Sequence, residues 1–159
     1  MRSPPILRLL LSSLLLWSSH APAHDLPSQV DLRAAYCVAV MQAMLRWIAP
    51  DPATAPQRPD RFTQERAEIE ANLRRLQRYL LPRLPSLAPS GLLTATQQGE
   101  EDATHREAWA NRCAMRCVSL KHLEPPDAKK YVGCLRSCND GDPILPRMRQ
   151  CESLPWLPF

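Results

Sequence analysis

Two C-x3-C pairs constrain this chain more than any other feature. They are Cys113-Ala-Met-Arg-Cys117 and Cys134-Leu-Arg-Ser-Cys138, with sixteen residues between them. On an α-helix four residues advance about 6 Å and return to the same face. Each pair therefore aims both sulfurs in one direction. Cys113 and Cys138 are equidistant from the Pro125-Pro126 bond, and so are Cys117 and Cys134. An antiparallel hairpin turning at that bond sets the outer cysteines opposite each other, and the inner ones likewise. Cα atoms joined by a disulfide lie about 4.4–6.8 Å apart, so the two helices must run close together. Ala110, Ala114 and Gly133 are small neighbours that suit such an approach. The symmetry selects Cys113–Cys138 and Cys117–Cys134. By elimination, Cys37 pairs with Cys151.

Disulfides need an oxidising compartment, and the N-terminus supplies an address for one. Residues 1–8 hold Arg2 and Arg8 and no acid, and residues 9–17 are dominated by leucine. Ala21-Pro22-Ala23 then fits the small-residue cleavage rule. This pattern predicts a signal peptide over 1–23, removed after Ala23. The apolar run is too short for a bilayer, which needs about 20 residues, so no transmembrane segment is expected after cleavage. The expected location is the periplasm in a Gram-negative cell and the extracellular space otherwise. Loss of Arg2 and Arg8 lowers the formal charge from +4 to +2. That balance gives no electrostatic case for nucleic acid.

Residues 24–159 read as one helical domain. Leu32, Tyr36, Val40, Ala43 and Trp47 recur at helical spacing, with Cys37, Met41, Met44 and Ile48 as a neighbouring stripe. They predict a helix over about 28–48, apolar on most of its circumference and central in the core. Four prolines make 49–60 a loop. A second helix follows over about 61–81, amphipathic, with Phe62, Ile69, Leu73, Leu76 and Leu80 inward. Pro82, Pro85 and Pro89 mark 82–99 as a second loop. A third helix is expected over about 100–120 and a fourth over about 127–138. The proline-rich stretch 139–159 reads as an extended tail strapped down through Cys151. The fold class is thus all-α: a small bundle of about four helices with a disulfide-stapled hairpin and an extended C-terminal tail.

Over residues 113–138 the twin C-x3-C arrangement resembles small chaperones of the mitochondrial intermembrane space and plant α-hairpinin peptides. The resemblance implies nested disulfides on a helical hairpin. It extends to no other part of the chain.

Candidate chemistry is sparse. Four hairpin thiolates could hold copper or zinc, with Met115 and Met148 suited to copper. His24 would head the processed chain and could chelate Cu(II) through its amine and ring. Glu101, Asp102 and His105 cluster near the expected start of the third helix, where acids also serve the helix dipole. Asp140-Gly141-Asp142 lacks the ligand spacing and closing Glu of a calcium loop and reads as a turn. No nucleophile motif, phosphate loop or H-E-x-x-H is present. No catalytic residue, cofactor or metal ligand is therefore assigned. The expected function is a non-catalytic protein-binding or structural module. Its candidate contacts are Arg112 and Arg116 beside the hairpin cysteines, and Trp156 and Phe159 in the tail, since arginines and aromatics are frequent anchors. One alternative is a metal-binding protein. Another is a small enzyme with a site around His105 or His122.

Overall fold

The computed structural model describes residues 24–48, 60–121 and 128–158. Five α-helices occur among them: α1 Gln29–Ile48, α2 Asp60–Leu80, α3 Pro89–Lys121, α4 Ala128–Asp140 and the short α5 Leu145–Met148. Single 3-10 turns stand at Leu84–Ser86 and Arg149–Cys151. The all-α bundle and all three disulfides are as the sequence implies. Residues 1–23, residues 49–59 of the expected 49–60 loop, the Pro125-Pro126 bond, His122 and Phe159 lie outside the described residues.

A reciprocal cap starts α1. The Asp31 amide donates to Ser28 Oγ at 3.2 Å, and the Ser28 amide donates back to the Asp31 carboxylate at 2.8 Å. This satisfies amides that the helix start would otherwise leave open. Ala34, Ala35, Tyr36, Cys37, Ala39, Val40, Met41 and Ala43 are all buried, so α1 is central. Ile69, Leu76 and Leu80 of α2 close over it, with Leu73 packed alongside.

The contact between α1 and α3 depends on Gly99. A Cβ there would lie 2.5 Å from the Tyr36 carbonyl oxygen and 2.9 Å from the Ala39 Cβ. The helices pass too closely for any side chain at 99. This explains a difference from the expected loop over 82–99, whose second half is helical. Pro89 opens α3 instead of ending an earlier element, because a first-turn proline has no amide to lose and a preset φ. The Ala88 amide donates to the Asp25 carbonyl at 2.8 Å, and Asp25 donates to Ser86 at 2.8 Å. The contact stripe continues through Leu92, Gly99, Asp102 and Ala103, all buried. Two of those are not apolar, which hides the stripe from a hydrophobic pattern. At 33 residues, α3 extends roughly 50 Å.

Beyond Ala103, α3 leaves the main core and pairs with α4. Cys113–Cys138 and Cys117–Cys134 join them antiparallel, with Cα separations of 5.7 and 6.0 Å. Cys113 and Cys117 are buried but lie outside the main hydrophobic cluster. Gly133 and Ala114 do not form the seam. A Cβ on Gly133 would meet nothing within 4 Å, and Ala114 is exposed. The Trp109 indole N–H donates to the Cys138 carbonyl at 2.9 Å and ties down the end of α4.

The tail also differs from expectation. It turns through α5 and the Arg149–Cys151 turn and does not run extended. Asp142 starts it, accepting the Ile144 amide at 3.0 Å on its side chain and the Leu145 amide at 3.2 Å on its backbone. These bonds satisfy backbone that an extended strap would leave unpaired over the core. Met148, Cys151, Leu154 and Leu157 enter the core, and Cys151 joins Cys37 at a Cα separation of 5.3 Å.

Three buried carboxylates lock this arrangement: Asp31, Asp102 and Asp142. A buried charge is tolerable only when paired, and each has an arginine. Arg83 reaches Asp31 at 2.8 Å, Arg147 reaches Asp102 at 2.6 Å and Arg106 reaches Asp142 at 3.1 Å. Burial alone would raise the Asp31 carboxyl. The hydrogen bonds from Arg83, Ser28 and Tyr79 outweigh it and hold the group well below the usual carboxylate range.

Candidate binding groove

The last two turns of α1 carry Met41, Met44, Trp47 and Ile48 on one side. Opposite them α2 presents Glu65, Glu68, Ile69 and Asn72. Their spacing of three, one and three residues keeps them on one face of that helix. The tail contributes Leu145, Met148 and Glu152, and α3 contributes Arg106 and Ala110. Together they enclose a groove of about 500 Å³, within the usual range of ligand clefts. Met41, Ile69 and Met148 are buried at its base, while Met44, Trp47 and Ile48 are half-buried. The floor is apolar. Glu65, Glu68 and Glu152 are exposed around it.

Cross-links hold the groove's walls. Cys37–Cys151 fastens the tail to α1. The Asn72 amide donates to the Glu152 carbonyl at 3.0 Å and fastens the tail to α2. Arg106 turns its guanidinium to Asn139 at 3.0 Å and Asp142 at 3.1 Å. Its charge is therefore spent on the tail.

The structure separates the other candidate residues. Asp102 points into the core, where Tyr36 donates to it at 2.7 Å, Gln98 at 3.0 Å and Arg147 at 2.7 Å. With Arg147 Nε also 2.6 Å away, both oxygens accept twice, so Asp102 braces α1, α3 and the tail and has no lone pair spare for a base. Burial, together with the contact to Asp102, pushes the Tyr36 phenol far above its ordinary range. Glu101 faces outward and accepts from Gln97 at 2.8 Å. The His105 ring lies against Trp109, and its Nε2 is 3.8 Å from Asp142, beyond hydrogen-bonding distance. Glu101, Asp102 and His105 thus do not converge. Asp140 is exposed and approaches Arg149 at 3.4 Å, whereas Asp142 is buried, so this pair forms a turn and no shared ion site. All six sulfurs are in disulfides, which removes the thiolates that a hairpin metal site would need. Among the described residues, no three His, Cys, Asp or Glu side chains are grouped to hold a metal. Among them too, no helix is long and apolar enough to cross a membrane.

Arg112 and Arg116 are exposed on the hairpin, with the Arg112 guanidinium 5.2 Å from the Trp109 ring centre. Trp156 is a packed residue. It is half-buried, donates to the Gln150 carbonyl at 3.2 Å and lies 5.3 Å from the Arg33 guanidinium. The groove was not evident from sequence, although its α1 half was. The stripe Cys37, Met41, Met44, Ile48 reads as core because its walls come from the charged side of α2 and from a distant tail. One signal was available: three of the five methionines meet here, and flexible thioethers favour adaptable binding surfaces.

No family model, curated protein or solved structure matches the chain.

Proposed function

We propose that this chain is an exported, non-catalytic module that binds a protein partner through the groove between α1, α2 and the tail. The observation that carries this reading is the apolar floor over buried Met41 and Met148, left partly open at half-buried Met44 and Trp47. The N-terminal pattern over 1–23 and the use of every cysteine in a disulfide support export. Stapling supports binding, since walls fixed before contact lose little freedom on association. The hairpin, with Arg112 and Arg116 exposed, is a second surface available to the same partner.

A photo-crosslinking residue placed at Met44 tests this in the native compartment. The same residue at exposed Gln42, outside the groove, is the control. A discrete protein adduct from position 44 and none from 42 is expected. Equal adducts from both positions, or none from either, would refute the groove as the docking surface. Intact mass of the recovered protein should show cleavage after Ala23 and six fewer hydrogens than the fully reduced chain.

A further inference from the structure

We infer that the groove receives a cationic amphipathic helix from another protein. This deepens the docking reading above and rests on it. The floor sets the first requirement. Met41, Met44 and Met148 with Trp47 call for apolar side chains, and thioethers can adjust to differing shapes. An amphipathic helix offers such side chains at i, i+3, i+4 and i+7.

The rim sets the second requirement, and among the described residues its free charges are all negative. Glu65 and Glu68 stand one turn apart on α2, and Glu152 stands across from them on the tail. All three are exposed. Among the described residues, Glu65 and Glu152 have no ion pair and Glu68 takes only a neutral amide hydrogen from Gln64 at 3.0 Å. Among the described residues, the one cation lining the groove is Arg106, and it is engaged by Asp142 and Asn139. Lysines or arginines flanking the apolar stripe would therefore meet three carboxylates and, among the described residues, no free like charge. Exposed pairs add little affinity individually. Their effect falls on selectivity and salt dependence, and the test reads those.

Three short synthetic helices serve as probes, each with leucines on one face and with lysine, serine or glutamate on the other. Binding to the disulfide-intact protein is followed by titration calorimetry and by Trp47 emission, with Trp47→Phe as the assignment control. The lysine helix should bind most tightly, the glutamate helix least, and added salt should narrow the difference. Glu65→Lys with Glu68→Lys should weaken the lysine helix about tenfold, from two rim pairs lost and reversed. The milder Glu65→Gln with Glu68→Gln should act in the same direction, and both sites are exposed enough to leave folding intact. Equal binding of the lysine and serine helices would overturn the cationic preference and leave the docking groove standing. No binding by any of the three helices would overturn the helical occupant, while the crosslinking outcome at Met44 decides the docking groove separately. Self-association without peptide, abolished by the same glutamate variants, would replace the partner with a second copy of this chain.

Discussion

Gly99→Ala and Gly133→Ala are the same substitution in two helices, and their effects should have opposite signs. Helix propensity favours alanine over glycine by about 0.8–1.0 kcal/mol in a helix interior. At Gly133 nothing lies within 4 Å of the added methyl group, so that gain should appear nearly whole. At Gly99 the added carbon falls 2.5 Å from the Tyr36 carbonyl oxygen and 2.9 Å from the Ala39 Cβ. Ordinary carbon–oxygen contacts lie near about 3.3 Å, so the helices must part by the better part of an ångström. The obstacle is the backbone of the central helix, which cannot rotate aside as a side chain could. Overpacking costs about 1–3 kcal/mol, and a rigid neighbour places this site at the upper end. Subtracting the propensity gain leaves a net loss of about 2 kcal/mol. Urea unfolding with the disulfides intact measures both variants, provided the slope is unchanged. A Gly99→Ala midpoint equal to or above that of the parent would refute the close helix crossing. Shifts of the same sign in both variants would refute the argument from packing.

Cys37→Ala with Cys151→Ala opens a cross-link spanning 114 residues and should lower stability by about 5 kcal/mol by chain entropy, measured by urea unfolding. Removing both hairpin disulfides should instead raise amide exchange in 113–121 and 128–140 while leaving α1 and α2 protected. Asp31 releases its proton at lower pH in the folded chain than in the unfolded one. Its stabilisation is complete above about pH 4 and is lost as pH falls through the depressed folded value. The gap between the parent and Asp31→Asn should therefore narrow below that pH, and a constant gap would count against the pairing. Tyr36 has the opposite sign, since its folded form keeps the proton after the unfolded chain loses it. Stability should fall above about pH 10, and Tyr36→Phe should flatten that slope in alkaline unfolding titrations.

The sequence alone determined the cross-links, the class and the central helix, because each is written in local spacing. C-x3-C fixes which helical face the sulfurs occupy, and the mirror at Pro125-Pro126 fixes their partners. The apolar residues from Leu32 to Ile48 fix α1 as the core, since a helix apolar on most sides cannot stay in water. The start of α3 was not legible. Its buried stripe runs through Gly99 and Asp102, which a hydrophobic pattern counts as exposed. Only the approach of α1 shows that Gly99 is there for its missing side chain, and only Arg147 and Tyr36 make Asp102 stable inside. The tail's turns were equally hidden, because Asp142 stabilises them together with Arg106, far away in sequence. The groove belongs wholly to the tertiary structure. Met41, Glu65 and Met148 lie on three separate elements, and no spacing within any one of them records that their faces meet.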